Sequence, residues 1–117
     1  MAANIDDQQV RETVILMPVF TAKPHFADQM EQALGRLQLL SRDDDGCIAY
    51  SVFADIAEPG RFVLYEEWTT AGALASHNDQ EHVRSFLEVA AEWLVAPFAV
   101  SELRPISGGR SIPSTDL

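Results

Sequence analysis

The chain has 117 residues, of which 18 are acidic and 8 basic, and its formal net charge is −10. A chain of this length fits one domain that buries about two-thirds of its unfolded surface without help from disulfides or metals. The scattered basic residues argue against nucleic acid, and no apolar run approaches the roughly 20 residues of a membrane span. The acidity either serves solubility alone or favours a neutral or weakly acidic organic ligand over anionic phosphates and lipids.

The chain start and the cysteine content indicate the compartment. Residues 1–9 contain neither a positively charged region nor an apolar run, so nothing in them marks the chain for secretion. The single cysteine, Cys47, cannot form an intramolecular disulfide and fits a reducing compartment, where we expect it to act as a small buried hydrophobe. These features predict a cytoplasmic protein.

The first predicted strand, residues 12–20, is a short run of β-branched and apolar side chains. Because Pro18 cannot donate to a sheet ladder, this strand is expected at a sheet edge, or with a bulge at the proline. A helix is predicted from about residue 24 to residue 40, since proline suits a first turn and apolar residues then recur at helical spacing. We expect it to end in the acidic turn before Gly46, where glycine adopts a left-handed conformation.

The next two strands, residues 47–55 and Arg61–Trp68, are predicted to form a hairpin. The Pro59-Gly60 pair between them is a strong turn signal, and both runs are rich in β-branched and aromatic residues. The hairpin belongs to the stretch from Gly46 to Phe86, which holds nearly all the chemically reactive side chains of the chain.

Helical segments and one further strand are predicted after the hairpin. Thr69 or Thr70 caps a short helical turn, and Asp79 caps a longer helix whose apolar stripe ends before Pro97. The last strand is expected at residues 98–104. Residues 1–106 are therefore predicted to form one domain, followed by a flexible tail at 107–117.

The element order β-α-β-β-α-β predicts an α+β fold of the ferredoxin-like type. In this fold a four-stranded antiparallel sheet carries both helices on one face. The third strand is apolar on both of its faces, with Phe62 and Leu64 on one side and Val63 and Tyr65 on the other. Because the helix-free face also needs cover, we expect a homodimer in which two sheets stack.

The motifs resemble those of the antibiotic biosynthesis monooxygenase family, small dimeric α/β-barrel proteins that include cofactor-free quinol and phenol oxygenases. The similarity spans roughly residues 13–106 and is carried by residues 46–50, Arg61–Trp68, residues 75–77, His82 and Phe86. Similar proteins oxidise polyketide quinols, act on quinones, degrade haem, isomerise signalling sugars or have no assigned reaction. The resemblance therefore implies the dimeric barrel fold more strongly than it implies one activity.

His77 is the first candidate for a catalytic group. With an ordinary pKa near 6.5, an imidazole takes a proton from a phenol or quinol around neutral pH, and similar proteins have a histidine here beside the pocket. The alternative is a helix-end histidine that only caps or packs. Glu66 is the second candidate, because a carboxylate that points toward the helices needs a partner or a raised pKa. We expect Glu66 to pair with His77 and orient it.

The predicted pocket is a dry aromatic slot that holds a planar ring flat. Side chains alternate along a strand, so Trp68 and Leu64 share the face that looks into the cavity of similar proteins. Trp68 either stacks on the ligand or serves as a core aromatic at the strand end. The six candidates for substrate binding are Trp68, Tyr50, Leu64, Phe86, His82 and Phe26.

Three of these candidates have an expected position in the fold. On the second strand, Tyr50 is expected to face the cavity together with Ile48 and Val52. His82 lies in the first turn of a helix, where a structural role is favoured over ligand contact. Phe26 either lines the pocket mouth or belongs to the core, as a phenylalanine at helical spacing usually does.

Motifs for metals and cofactors are missing from the sequence. There is no glycine-rich phosphate loop after a strand and no Cys-x-x-Cys pair. His77 and His82 lie about 500° apart around a helix, which is poor for shared ligation. The haem-degrading branch of the family uses a histidine one helix segment after a tryptophan, and residues 84–88 hold none. We therefore expect neither a metal nor a cofactor.

The leading hypothesis is a cofactor-independent monooxygenase that oxidises a quinol-like or phenolic small molecule with O₂. In that chemistry His77 removes a proton, and the substrate anion passes an electron to O₂ itself. Two alternatives stay open. One is a non-catalytic module that binds a quinone or serves a stress response, and the other is an isomerase or lyase that uses the same pocket without oxygen.

Overall fold

The computed structural model describes residues 13–107. The predicted tail at 107–117 lies outside these residues, apart from Ser107. Within the described range, every helix is too short or too polar to cross a membrane. The elements in chain order are β1 (Val14–Thr21), a 3₁₀ turn (Pro24–Phe26), α1 (Ala27–Ser41), β2 (Cys47–Ala54), β3 (Arg61–Trp68), α2 (Ala71–Asn78), α3 (Glu81–Trp93) and β4 (Ala99–Leu103).

The four strands form one antiparallel sheet in the order β2-β3-β1-β4, which confirms the predicted α+β fold. β1 is an interior strand, so the expected edge position of Pro18 is wrong. Pro18 pairs with Val100 of β4, while the ladder to β3 runs from Leu16 opposite Glu66 to Val19 opposite Val63 without a register shift. Met17 and Pro18 have no partner in the ladder to β3. We attribute this gap to Pro18, because proline has no N–H to donate.

The chain between β3 and β4 forms two helices with a break at Asp79 and Gln80. The Thr70 hydroxyl accepts a hydrogen bond of 3.0 Å from the Ala73 N–H and so caps α2. The prediction that Thr69 or Thr70 caps this helix is thereby confirmed. Asp79 ends α2, and Gln80 is the residue that precedes α3. The expected capping of the longer helix by Asp79 is therefore wrong, and α3 ends at Trp93, ahead of Pro97.

The core lies between the sheet and the helices. β3 alternates as predicted, since Phe62, Leu64, Glu66 and Trp68 are buried while the residues between them are half-buried. The hydrophobic core also includes these side chains from other elements: Phe20, Met30, Leu34, Leu37, Tyr50, Val83, Phe86 and Ala90.

β2 presents Tyr50 to this core, with Val52 packed against its margin, as expected. Ile48 is instead 51% exposed. The pairing with β3 shifts register between Cys47 and Ala49, and such an irregularity changes which side chains face the core. The expectation that Ile48 faces the cavity is wrong for this reason.

The side chains of Gln38 in α1 and of Arg42, the residue that follows this helix, bind the backbone of β2. Gln38 Oε1 accepts a hydrogen bond of 2.7 Å from the Val52 N–H, and Arg42 Nε donates one of 2.8 Å to the Tyr50 carbonyl oxygen. Both bonds lie on the side of β2 that is turned away from β3. They fasten the helix to the strand that carries Tyr50.

The sheet face away from the helices carries apolar side chains. Phe53 on β2 is 57% exposed and lies opposite the half-buried Val63 of β3, and Leu103 on β4 is 38% exposed. Isolated apolar residues at a surface are common, but here they belong to one sheet face.

Candidate active site

The carboxylate of Asp44 contacts two imidazole rings. Its Oδ2 atom lies 2.8 Å from Nδ1 of His77 and 3.0 Å from Nε2 of His82, across separations of 33 and 38 residues. The spacing of the two histidines is poor for shared ligation on one continuous helix, but the helix breaks between α2 and α3, and both rings contact the same carboxylate.

Asp44 is held in place by the turn that follows α1. Gly46 has a left-handed backbone with φ +82°, as predicted. A Cβ atom on Gly46 would lie 2.5 Å from the Ala73 Cβ and 2.8 Å from the Thr69 Oγ1. The Thr69 N–H also donates to the Gly46 carbonyl oxygen at 2.9 Å. The acidic turn is therefore packed against the start of α2, the helix that carries His77.

His77 lies at the end of α2, and its side chain is only 2% exposed. Its ring packs on Trp68, with 4.4 Å between ring centroids, and on Tyr50 at 5.5 Å. Burial lowers the pKa of His77 more than the hydrogen bond and charge of Asp44 raise it. The neutral ring is thus favoured, and because Asp44 accepts from Nδ1–H, the lone pair of that ring is on Nε2.

Glu66 is 6% exposed and projects from β3 toward the helices. Trp68 Nε1 donates a hydrogen bond of 2.7 Å to Glu66 Oε1. Burial raises the pKa of Glu66 despite that hydrogen bond, so the neutral carboxyl form is favoured to a higher pH. The expected pairing of Glu66 with His77 is wrong, since Asp44 is the carboxylate that His77 contacts.

A cavity of about 240 Å³ lies between the sheet and the helices. Five of the predicted site residues line it: Tyr50, Leu64, Glu66, His77 and Phe86. Apart from Tyr50, Glu66, His77 and Asn78, its wall is apolar. Burial also raises the pKa of Tyr50, which keeps the phenol protonated. The cavity is thus a mostly apolar slot with a few polar groups, as small-molecule sites usually are.

Three predicted binding residues are not on the wall of this cavity. Trp68 is fully buried behind it, where its indole contacts Glu66 and His77. Phe26 stacks on Trp93, with ring centroids 6.1 Å apart. His82 lines a separate groove of about 540 Å³ between α1 and α3, to which Leu37 and Phe86 also contribute.

Sequence reasoning missed Asp44 as a site residue. The run of three aspartates before Gly46 was interpretable only as a helix-ending turn, and no spacing rule connects it with a histidine 33 residues later. Within residues 13–107, Asp44, His77 and His82 bring three possible metal-ligand atoms within 4.8 Å of one another.

The chain belongs to the antibiotic biosynthesis monooxygenase family. The model of this family matches residues 13–89, which include both strands of the hairpin and the Asp44–His77–His82 cluster. The family resemblance of the sequence motifs is thereby confirmed.

Two relatives with solved structures illustrate the similarity. The Mycobacterium tuberculosis protein named "Putative monooxygenase Rv0793" is 27% identical over 93 residues, covering 80% of this chain and 91% of the relative. Its structure has a TM-score of 0.75 at 26% identity over 80% of this chain and 95% of that chain. The structure of PA3566 from Pseudomonas aeruginosa has a TM-score of 0.78 at 26% identity over 84% of this chain and 98% of that chain.

Proposed function

We propose that the protein is a cofactor-independent monooxygenase that oxidises a quinol-like or phenolic aromatic molecule with O₂. The observation that carries this proposal is the Asp44–His77 pair at the wall of the cavity. Asp44 accepts from Nδ1, so the neutral ring of His77 has its basic lone pair on Nε2, the nitrogen that Asp44 does not contact. An aspartate that orients a histidine in this way is a common arrangement for a general base.

The reaction needs few groups from the protein. Nε2 of His77 takes the phenolic proton, and the resulting anion gives one electron to O₂. Recombination of the two radicals forms a carbon–oxygen bond at a ring carbon that carries hydrogen, and the resulting peroxide anion takes back the proton from His77 to give a hydroperoxide. Loss of water from this hydroperoxide leaves a quinone, so the phenol and O₂ yield the quinone and one water. The apolar wall of the cavity supports the chemistry because it orients the ring and excludes water.

Glu66 and Tyr50 complete the polar side of the slot. Burial raises both pKa values, so the protonated form of each group, which has a hydrogen to donate, extends to a higher pH. We assign them to binding substrate oxygens. Leu64 and Phe86 supply the apolar faces, and Trp68 supports Glu66 and His77 from behind.

We also propose a homodimer in which the helix-free faces of two sheets stack. The exposed Phe53 and Leu103 on that face support this arrangement, as does the dimeric barrel that the family resemblance implies. A reducing, cytoplasmic location fits the single cysteine. Neither nucleic acid nor a membrane is part of the proposal.

Oxygen uptake by the EDTA-treated protein tests the proposed function. The substrates are a panel of reduced naphthoquinols and anthrones, with autoxidation subtracted. We expect saturable uptake that falls about 10²–10⁴-fold in His77→Ala. His25→Ala is the matched control, since His25 lies on the 3₁₀ turn away from the cavity, and it should retain full uptake.

Other outcomes would point to other functions. Saturable quenching of tryptophan fluorescence by quinones without oxygen uptake would contradict the monooxygenase and favour a binding module. Turnover of the same compounds under anaerobic conditions would instead favour an isomerase or lyase. Equal uptake by wild type and a folded His77→Ala variant would remove His77 from the mechanism.

A further inference from the structure

We propose that Asp44, His77 and His82 bind one divalent transition-metal ion of the Zn²⁺ class, and that the bound ion moves the ring proton of His77 from Nδ1 to Nε2. The metal site rests on the geometry of the three side chains alone. Its consequence for turnover rests on the proposed function, in which Nε2 of His77 is the proton acceptor. The ion would therefore act as an inhibitor of the same site.

The three donor atoms already lie close to the positions that a zinc ion requires. Ligand atoms at 2.0–2.1 Å from a tetrahedral zinc are about 3.3 Å apart. In the structure, Asp44 Oδ2 is 2.8 Å from one imidazole nitrogen and 3.0 Å from the other, and all three atoms lie within 4.8 Å of one another. The two imidazole nitrogens, which lie at most 4.8 Å apart, must approach to about 3.3 Å. His77 is fixed by its packing on Trp68, whereas the 19% exposed side chain of His82 has room to move.

The chemistry of the donors selects the kind of metal. Two imidazole nitrogens and one carboxylate oxygen suit Zn²⁺, Co²⁺ or Ni²⁺, whereas Mg²⁺ and Ca²⁺ prefer oxygen ligands. Three protein ligands leave one tetrahedral position for water. Asp43 and Asp45, exposed on either side of Asp44, and the net charge of −10 add a negative potential that attracts cations.

The effect on His77 follows from the number of protons on a neutral imidazole. Without metal, Nδ1 carries the single proton and donates it to Asp44. A metal on Nδ1 uses the lone pair of that nitrogen, so the neutral ring must carry its proton on Nε2. The proton changes position within one ring and none is released from it. A ring with Nε2–H cannot accept the substrate proton, which makes the bound ion inhibitory.

Metal titration of the full-length, EDTA-stripped protein tests the site. Calorimetry with Zn²⁺ and visible absorption with Co²⁺ should both give one ion per chain. His82→Ala should bind at least about ten-fold more weakly, because it lacks one ligand. His25→Ala is the matched control, since it removes the one other histidine of the chain, and it should bind as wild type does. Equal affinity in wild type and His82→Ala would overturn the site, as would an equal loss in His25→Ala.

Nitrogen NMR of ¹⁵N-labelled histidine tests the proton movement. With one equivalent of Zn²⁺, the His77 ring should show its proton on Nε2 and a metal-shifted Nδ1. Persistence of Nδ1–H in the zinc-bound protein would overturn this part of the proposal. Both experiments need no substrate. Absent oxygen uptake would therefore contradict the proposed function and leave the metal result standing, while absent zinc binding would leave the oxygenase proposal standing.

Discussion

The indole of Trp68 donates its Nε1–H to Glu66 Oε1, two residues earlier in the same strand, at 2.7 Å. Residues two apart in a strand share a face, so this bond depends only on the local backbone. The pKa of Glu66 is raised all the same, because burial disfavours the carboxylate more than one indole hydrogen bond favours it. Ionisation of this buried carboxyl group as the pH rises therefore lowers the stability of the fold.

Glu66→Gln is expected to flatten the dependence of stability on pH. The folded pKa of Glu66 lies above the unfolded value of about 4.3, so the folded state binds more protons than the unfolded state between the two. The contribution of Glu66 to the free energy of unfolding is therefore full below the unfolded pKa and is lost as pH rises through the folded pKa. Glutamine resembles the neutral acid and has no such slope.

Urea denaturation of wild type and Glu66→Gln between about pH 4 and 8 measures this effect. Each unit by which the pKa is raised corresponds to about 1.4 kcal/mol. Glu67→Gln is the matched control for the loss of one carboxyl group, because Glu67 lies on the opposite face of β3 beside Tyr65. Parallel curves for wild type and Glu66→Gln would contradict a raised pKa of Glu66.

Asp44→Asn is expected to lower oxygen uptake by about 10²–10⁴-fold while the fold is kept. The amide has the shape of the carboxylate, but it has no negative charge to stabilise the imidazolium. Its NH₂ group can also donate to Nδ1 of His77, which would place the ring proton on Nε2. Single-turnover oxygen uptake measures the activity, and circular dichroism measures whether the fold is kept. Asp43→Asn, on the exposed neighbour, should leave uptake unchanged, and a folded Asp44→Asn variant with full uptake would remove Asp44 from the mechanism.

Gly46→Ala is expected to destabilise the fold by about 1–3 kcal/mol and to reduce uptake. The added methyl group would lie 2.5 Å from the Ala73 Cβ, on a backbone with φ +82°. Relief of this contact must move the acidic turn away from α2. Gly35→Ala is the matched control, since a Cβ at Gly35 meets nothing within 4 Å inside α1, and it should raise stability by up to about 1 kcal/mol. Equal urea midpoints for Gly46→Ala and Gly35→Ala would contradict the close packing of the acidic turn on α2.

Phe53→Glu is expected to weaken the proposed homodimer by at least about ten-fold in Kd. The substitution places a charge on the helix-free sheet face, opposite Val63, where two stacked sheets would bury it. Sedimentation equilibrium measures the association. Ile56→Glu is the matched control, because Ile56 is 99% exposed in the hairpin loop. Wild type that sediments as a monomer would contradict the dimer, and a Phe53→Glu dimer as tight as wild type would place the interface elsewhere.

Local patterns predicted most of the fold. The bounds of Arg61–Trp68, the Thr70 cap and the left-handed Gly46 all depend on neighbours in sequence, and each was confirmed. Pro18 was misplaced because a proline excludes one hydrogen bond and does not exclude an interior strand. In β1 the ladder to β3 has a short gap at Pro18, whereas the ladder to β4 continues through Pro18.

The candidate site was predictable only in part. His77 and Glu66 reach the cavity because strand alternation and the short helix place them there. The partner of His77 could not be predicted from the sequence. Glu66 was chosen because strand alternation points its carboxylate toward the helices, where His77 was expected. Asp44 reaches His77 through the packing of Gly46 on Ala73, a contact that no local pattern encodes.

The side-chain bonds from Gln38 and Arg42 to β2 have a consequence for the self-association of the protein. β2 is one of the two edge strands of the sheet, and its free N–H and C=O groups could otherwise recruit a strand from another molecule. Gln38 and Arg42 occupy the Val52 N–H and the Tyr50 carbonyl oxygen in the middle of that strand. These two bonds thereby disfavour the pairing of a further strand at this edge of the sheet, while the helix-free sheet face that bears Phe53 is left available for association.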